Sequence, residues 1–294
     1  MNILFTCAGR RTYLLKYFKE QLGADGIIVG TDMQLTAPAL TAADVKEQVP
    51  AVYADDYIDR TLEICHKHKI NAVISLNDLE LPVLAKNRQR FELEGVKLIV
   101  SSSEVIDICF DKYRTAQYIE SIGLKSPKTF VNPDRAIEAL KNGGLAFPLV
   151  LKPRWGSGSI GIEFVNNIDE LRDVYAQLLK KVRKSILGTA SQGSEYILIQ
   201  EAINGQEYGM DVMNDLNGNN RGVSVKMKLA MRAGETDKAR TVDNAAIRTI
   251  GRKLGESLSH IGNLDVDVFE RDGQYYVLEL NPRFGGGFPF SYEA

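Results

Sequence analysis

Short apolar runs alternate with helically spaced segments through the first third of the chain. The apolar runs predict strands over residues 2–7, 26–31, 71–76 and 96–100. Between them, apolar side chains recur at helical intervals over residues 11–22, 60–69 and 79–91. Because strands that alternate with helices form parallel sheets covered by helices, residues 1–110 are expected to form one α/β domain.

The pattern changes at Asp111, after which several strands follow one another directly. Helices are predicted over residues 111–122, 135–141, 168–184 and 244–259. Strands are predicted over residues 147–152, 162–165, 196–201, 207–213, 223–231, 264–270 and 274–280. The sequences DLNGNNRG (215–222) and RDG (271–273) each join two of these strands and predict hairpins. The second half is therefore expected to be α+β.

Composition and charge exclude several classes of partner. The 294 residues have a formal net charge of −2, whereas a nucleic-acid-binding protein normally has a basic surplus. No apolar run approaches the about 18 residues of a membrane span, and the N-terminal MNILFTCAG is expected to be a first strand, not a leader. The cysteines at 7, 65 and 109 have neither metal-site nor disulfide spacing, so a reducing, cytoplasmic setting is expected.

Lys152 precedes a glycine-containing loop, WGSGSIG, at residues 155–161. Backbone N–H groups at Gly156, Ser157 and Gly158 can approach a phosphate closely, and Lys152 can supply a positive charge to it. No Gly-Lys-Ser/Thr follows, so this is not a P-loop. A plain flexible hairpin is an equally good interpretation of these residues alone.

A second polar cluster joins two predicted strands in IQEAINGQEYGMDV. Its candidate nucleotide-binding residues are Gln200, Glu201, Ile203 and Glu207. The connection can offer backbone groups to an adenine edge, and the Glu207 carboxylate can accept hydrogen bonds from ribose hydroxyls. Taken alone, the segment is better interpreted as an exposed polar turn.

A third cluster brackets the last hairpin, with Asp267 on one strand and Glu279 and Asn281 on the next. Glu279 and Asn281 are two residues apart and therefore share a face of the sheet. Two carboxylates and an amide oxygen form an all-oxygen site suited to magnesium. Solvated strand charges are the alternative, which fits Asp265 and Glu270 better than Glu279.

These clusters, in this order, resemble the ATP-grasp superfamily, and most of all the carbamoyl-phosphate synthase large subunit and its stand-alone relatives. The most specific motif is LELNPR at 278–283, followed by a glycine run and FPF at 288–290. The resemblance implies a Rossmann-like pre-ATP-grasp domain (1–110), a small lid subdomain (111–190) and a C-terminal subdomain with the metal site (191–294).

The resemblance also implies roles for individual residues. Lys112 and Lys152 would reach the phosphates of ATP, residues 200–203 would bind adenine, and Glu207 would bind ribose. Magnesium, or alternatively manganese, would be held by Asp267, Glu279 and Asn281. Asp267 stands where the synthases have glutamine and other ATP-grasp ligases have aspartate. Arg283 would neutralise the phosphoryl group during its transfer.

Two segments are candidates for binding the acceptor substrate. Asp78 and Glu80 follow a predicted parallel strand and can hold an amine. The alternative is that Asp78 caps a helix and Glu80 lies in its first turn. The charged segment RAGETDKAR (232–240) resembles the family's active-site loop, so that Arg240 or Lys226 can bind a carboxylate or phosphate. The resemblance thus makes Arg240 a candidate catalytic residue, together with Lys152 and Arg283. A solvated surface loop is the alternative there.

The first turn, AGRR at 8–11, has a single glycine and lacks the dinucleotide-binding fingerprint, so an NAD-dependent oxidoreductase is disfavoured. Arg10 and Arg11 can bind an anion at the start of the following helix, or lie on its surface.

The implied activity is that of a ligase which phosphorylates a carboxylate, bicarbonate or carbamate to an acyl phosphate that an amine attacks. An amino-acid ligase and a non-catalytic ATP-binding regulatory protein are the alternatives. Small-molecule substrates are expected, with neither nucleic acid nor membrane as a partner. A homodimer or a partner chain is the expected assembly.

Overall fold

Three β-sheets organise the chain. The structure is a computed structural model that describes residues 1–156, 161–191, 193–232 and 234–294. The first sheet is parallel and the other two are antiparallel, which confirms the predicted change from α/β to α+β. No helix within these described ranges combines the length and apolarity needed to cross a membrane.

The N-terminal sheet has the strand order β3-β2-β1-β4-β5. Its strands are β1 (Ile3–Thr6), β2 (Ile28–Asp32), β3 (Val45–Gln48), β4 (Ala72–Ser75) and β5 (Lys97–Ile99). Its helices are α1 (Thr12–Leu22), α2 (Tyr57–Lys67), α3 (Leu81–Lys86) and α4 (Arg88–Leu93), with a 3₁₀ turn at Pro38–Thr41. The order of connection reverses between β1 and β4, which creates a crevice at their carboxyl ends.

Two helices connect this domain to the rest of the chain. Ser102 caps α5 (Ser103–Phe110) by accepting a hydrogen bond from Val105 N. Asp111 ends α5 and caps α6 (Lys112–Ser121) by accepting from the next turn's backbone. A carboxylate at this position stabilises the helix by satisfying N–H groups that lack an intrahelical acceptor.

The small sheet has the order β6-β9-β7-β8 and is antiparallel throughout. Its strands are β6 (Thr129–Phe130), β7 (Leu149–Pro153), β8 (Glu163–Val165) and β9 (Ile197–Glu201). The accompanying helices are α7 (Pro133–Lys141), α8 (Ile168–Arg183) and α9 (Ile186–Ala190). The predicted division at residue 190 stays a prediction, although β9 follows it and belongs to this sheet.

The large antiparallel sheet has the order β12-β11-β10-β13-β14. Its strands are β10 (Gln206–Asn214), β11 (Asn220–Arg232), β12 (Glu235–Thr241), β13 (Gly262–Arg271) and β14 (Gln274–Asn281). Helix α10 (Ala245–Leu258) covers one face with Ile247, Leu254 and Leu258. Since side chains alternate between faces, the polar residues of β11, β13 and β14 project from the other face.

The segment after β14 fastens the large sheet to the N-terminal domain. Phe284 and Phe288 pack into the core that contains Phe5 and Leu14. The chain then forms α11 (Pro289–Tyr292), where Tyr292 stacks on Tyr17 of α1 with ring centroids 4.1 Å apart. The polar face of the large sheet is thereby held against the carboxyl ends of the parallel strands.

Candidate active site

A cavity of about 560 Å³ opens where the three sheets meet. Its cationic side chains are Arg11, Lys112, Lys152, Lys228 and Arg283. Its carboxylates are Asp78, Glu207, Glu235, Asp265, Asp267 and Glu279. Cations and carboxylates therefore line one concave site. The cations can bind an anion there, and the carboxylates can bind a metal ion.

Lys112 and Lys152 reach the cavity because the start of α6 is tied to the end of β7. The Asp111 carboxylate accepts from Tyr113 N at 3.0 Å and also binds Arg154 Nε and Nη2, each at 2.8 Å. Lys112 N donates to Arg154 O at 3.1 Å. These contacts fix the two elements together, so their lysines are positioned before any ligand binds.

The two lysines differ in how fully their charges are compensated. Lys112 Nζ lies 3.2 Å from Glu279 Oε1 and donates to Gly156 O. Lys152 is 5% exposed, and burial lowers its pKa to about 8. The Lys112 ammonium lowers the pKa further, whereas the carboxylates of Glu279 and Asp267 raise it. Within the described ranges Lys152 forms no ion pair. A bound polyphosphate would compensate both ammonium groups.

The acidic edge of the cavity follows from the register of β13 and β14. Asp267 pairs with Glu279, and Asp265 with Asn281, so all four side chains share one face. Burial raises the pKa of Asp267 to about 6. The Lys228 ammonium opposes this shift, whereas the carboxylates of Asp265, Glu207 and Glu279 add to it. The oxygens of Asp267, Glu279 and Asn281 fit Mg²⁺ chemically, although the described residues form no cluster of three or more His, Cys, Asp or Glu arranged for a metal.

Lys228 connects the acidic edge to Glu207 and was missed by the sequence analysis. Its Nζ lies 2.6 Å from Asp267 Oδ1 and 2.7 Å from Glu207 Oε1. Burial favours the neutral amine, but these carboxylates outweigh it and raise the pKa of Lys228. The alternation in VSVKMKLAM, with Lys226 and Lys228 on one face of an apolar strand, was the available signal.

Arg283 is held between the N-terminal domain and the large sheet. Its Nε and Nη2 donate to Asp78 Oδ2 at 3.1 and 3.0 Å, and its Nη1 donates to Asp265 Oδ2 at 2.9 Å. Although burial disfavours the cation, Asp78 and Asp265 raise the pKa of Arg283. Asp78 therefore lines the cavity as a partner of Arg283. Asp265, for which a solvated strand charge was the alternative in the sequence analysis, also lines the cavity.

The glycine run after Arg283 makes room for this arrangement. A Cβ atom added at Gly285 would lie 2.2 Å from Asp265 Oδ2, and one added at Gly287 would lie 2.8 Å from Lys226 Cε. The run follows Arg283 directly, so Asp265 can approach the guanidinium only because the backbone beside it has no side chain.

Three predicted substrate-binding residues lie outside the cavity lining. Glu80 is fully buried and accepts hydrogen bonds from Ser75 Oγ at 2.6 Å and Thr6 Oγ1 at 2.8 Å. Lys226 is 1% exposed and paired with Asp211. Arg240 pairs with Met227 in the register, so it faces away from Lys226 and Lys228 and is exposed. These placements do not support direct substrate contacts, because each side chain is either satisfied internally or turned away.

The second cluster is only partly assembled at the cavity, since Glu207 alone lines it. Gln200 Nε2 donates to Thr129 Oγ1 at 2.8 Å, and Glu201 Oε1 accepts from Arg271 Nη2 at 3.0 Å. Ile203 is half-buried in the connection to β10. The side chains of Gln200 and Glu201 are therefore engaged with neighbouring residues of the protein. The predicted phosphate contacts at Ser157 and Gly158 lie outside the described residues, whereas Gly156 lines the cavity.

Comparison with known families agrees with this geometry. Residues 109–287 match the family described as ATP-grasp domain, which is more than half of the chain. The chain belongs to the ATP-grasp family. Residues 3–99 match a second family, described as PylC-like, N-terminal domain. The family resemblance predicted from the three clusters is thus confirmed.

Individual relatives match this ATP-grasp protein at low identity. The carbamoyl phosphate synthase large chain of Pseudarthrobacter chlorophenolicus is 25% identical over 296 residues, covering 92% of this chain and 25% of its own length. That of Pasteurella multocida is 26% identical over 253 residues, covering 81% of this chain and 22% of its own. The chain spans about a quarter of the length of these curated relatives.

Two solved structures illustrate the shared fold. One is the biotin carboxylase domain dimer of the Hydrogenobacter thermophilus 2-oxoglutarate carboxylase, solved with MgADP, ADP and bicarbonate. Its TM-score is 0.77 at 17% sequence identity, and the match covers 98% of this chain and 65% of that chain. The L-amino acid ligase from Bacillus licheniformis has a TM-score of 0.74 at 19% identity, covering 99% and 70%. At these identities the likeness establishes the fold alone.

Proposed function

We propose that this chain is a Mg²⁺- and ATP-dependent ligase that phosphorylates a carboxylate, or bicarbonate or carbamate, to an acyl phosphate for attack by an amine. The observation that supports this most strongly is the meeting of Lys112 and Lys152 with the edge formed by Asp267, Glu279 and Asn281 in one cavity. Cations suited to phosphates and oxygen donors suited to Mg²⁺ are the two requirements of phosphoryl transfer.

In this proposal the protein positions ATP and neutralises charge. Lys112 and Lys152 bind the phosphates, Glu207 accepts from the ribose hydroxyls, and residues 200–203 present backbone groups to adenine. Asp267, Glu279 and Asn281 would hold Mg²⁺, or alternatively Mn²⁺, which supplies positive charge to the transferring phosphoryl group.

Arg283 is proposed to stabilise the anionic acceptor as it attacks the γ-phosphorus. Its guanidinium is held by Asp78 and Asp265, so little reorganisation is needed during the reaction. The acceptor oxygen forms a bond to the γ-phosphorus as ADP leaves. The amine then attacks the acyl carbon and expels inorganic phosphate. Arg240 is given no catalytic role in this proposal, because its side chain is exposed on the face opposite Lys226 and Lys228.

The proposed setting is the cytoplasm, with small-molecule substrates. A homodimer is proposed by analogy with the dimeric biotin carboxylase domain, and a partner chain is the alternative. A regulatory protein that only binds ATP has no need for Arg283 held beside the oxygen donors Asp267, Glu279 and Asn281, which disfavours that alternative.

The substitution Glu279→Gln tests the metal assignment. Removing a charged donor is expected to lower ADP release by about 100-fold or more, while metal-free binding of an ATP analogue changes little. Glu270→Gln is the matched control, because Glu270 lies on β13 outside the cavity and accepts from Gly273 N at 2.9 Å. Wild-type turnover in Glu279→Gln would refute the assignment.

A further inference from the structure

The crevice between the carboxyl ends of β1 and β4 opens into the same cavity. These neighbouring strands lie where the order of connection reverses, the position at which open α/β sheets bind ligands. The segment after β1 brings Arg11 to the cavity, and the segment after β4 brings Asn77. The N-terminal domain therefore contributes hydrogen-bond donors to the cavity as well as the Asp78 that holds Arg283.

Arg11 is loosely held compared with the other arginines around the site. Its Nε lies 3.3 Å from Phe284 O and its Nη1 lies 3.4 Å from Glu235 Oε1. Arg283 and Arg154 contact their carboxylates at 2.8 to 3.2 Å. Over the described ranges, Arg11 Nη2 has no acceptor. Long, single contacts are weaker than short paired ones, so Arg11 keeps capacity for another anion.

The other groups nearby are consistent with an exchange of partners. Glu235 is 35% exposed and also lies 3.7 Å from Arg10, so it can leave Arg11 without losing every cation. Asn77 Oδ1 accepts from Leu79 N at 2.9 Å, which leaves its amide N–H groups for a ligand in the cavity. Arg11 itself is 15% exposed and is therefore accessible without being fully solvated.

We propose that Arg11 binds a second acidic group of the acceptor substrate, one that is not phosphorylated, and that Glu235 occupies Arg11 until this group arrives. The identification of the ligand as the acceptor rests on the proposed ligase function. Lys112 and Lys152 are assigned to ATP, and Arg283 is assigned to the acceptor oxygen that attacks the γ-phosphorus, which leaves Arg11 for the second acidic group. A guanidinium matches the paired oxygens of a carboxylate or phosphate.

Paired probes that differ only in this acidic group test the proposal. Glutarate is compared with its monoamide, and a carboxylate bearing an ω-phosphate monoester with the corresponding ω-alcohol. Affinity is measured by calorimetry with Mg²⁺ and a non-hydrolysable ATP analogue, and ADP release is measured with Mg-ATP. Wild type is expected to prefer the acidic member of one pair at least about tenfold, and the preferred pair distinguishes carboxylate from phosphate.

Variants then assign this preference to Arg11. Arg11→Met is expected to abolish it without altering the affinity for the neutral member, and Arg11→Lys to restore part of it. Lys16→Met is the matched control, because Lys16 is exposed on the same helix α1 and does not line the cavity, so the preference should stay intact. Glu235→Gln is expected to tighten binding of the acidic member several-fold, because Arg11 is then unoccupied.

Each result decides between the proposals. A preference that survives in Arg11→Met, an absence of preference in wild type, or weaker binding of the acid in Glu235→Gln would overturn the role of Arg11. If none of the probes, tested with amines, stimulates ADP release while calorimetry still shows the Arg11-dependent preference, the anion site stands and the ligase function fails. If release is stimulated without any preference, the ligase stands and the anion site fails.

Discussion

Lys152 shows how strongly the site depends on single side chains. Burial, together with the Lys112 ammonium, lowers its pKa to about 8. The free protein therefore begins to lose this charge slightly above neutral pH. Bound phosphates favour the ammonium form and should raise the pKa of Lys152 in the complex.

ATP affinity should consequently fall as pH rises above about 8, because the free protein has lost a proton that the complex retains. The limit is about tenfold per pH unit. Calorimetry with a non-hydrolysable ATP analogue, in buffers of different ionisation enthalpy, should detect proton uptake on binding. Lys152→Arg, which stays charged, should remove the dependence. Constant wild-type affinity without proton uptake above pH 8 would contradict the assignment.

At this scale the sequence predicted that Asp267, Glu279 and Asn281 lie together, but not that Lys228 pairs with Asp267. Asp267, Glu279 and Asn281 were placed on one face because hairpin register and alternation are local properties. Glu80 and Lys226 were predicted to bind substrate, but Glu80 accepts a hydrogen bond from Tyr57 Oη at 2.5 Å and Lys226 pairs with Asp211 of the neighbouring strand. Burial of that kind leaves no trace in local spacing.

At the scale of elements, the connection after β14 controls the geometry of Asp265 and Arg283. Gly285 lies so close to Asp265 that a side chain there would displace its carboxylate. Gly285→Ala is expected to destabilise the protein by about 2 kcal/mol and to lower ADP release at least about tenfold.

The matched control is Gly222→Ala in β11, where an added Cβ would meet no atom within 4 Å. Its stability should stay within about 0.5 kcal/mol of wild type. Urea unfolding and ADP release measure both effects. Equal behaviour of the two alanine variants would show that the close approach at Gly285 has no functional consequence.

The sequence predicted buried elements better than exposed ones. Segment 232–240 was expected to be a loop, but residues from Glu235 form the edge strand β12. Four of its seven residues, ETDKART, are charged, and the segment has no apolar alternation, so only pairing with β11 makes it a strand. The helix predicted over 79–91 divides at Asn87 into α3 and α4.

At the scale of the whole molecule, the N-terminal domain and the large sheet are joined through a shared core. Phe284, 9% exposed, packs edge-on to Phe18 of α1 with ring centroids 6.0 Å apart. Tyr13 of the same helix donates to Gly285 O at 2.8 Å. The sequence could not predict this docking, because it depends on residues more than 250 positions apart.

Phe284→Ala should destabilise the protein by about 3 kcal/mol, since it leaves a cavity in this shared core. Urea unfolding followed by circular dichroism and by fluorescence of Trp155, the sole tryptophan, should shift to the same lower midpoint. Phe164→Ala is the control, because Phe164 is 63% exposed. A shift in circular dichroism with an unchanged tryptophan transition would indicate that the domains unfold independently.

Formation of an acyl phosphate is the central claim, and oxygen transfer tests it most directly. ADP release from Mg-ATP is first measured with amino acids, amines and bicarbonate, singly and in pairs, to find the stimulating acid and amine. The acid is then supplied with ¹⁸O in its carboxylate, or as labelled bicarbonate. An acyl phosphate requires that one ¹⁸O atom appear in the inorganic phosphate released with ADP. Product formed together with unlabelled phosphate, or with AMP and pyrophosphate, would contradict the proposed reaction.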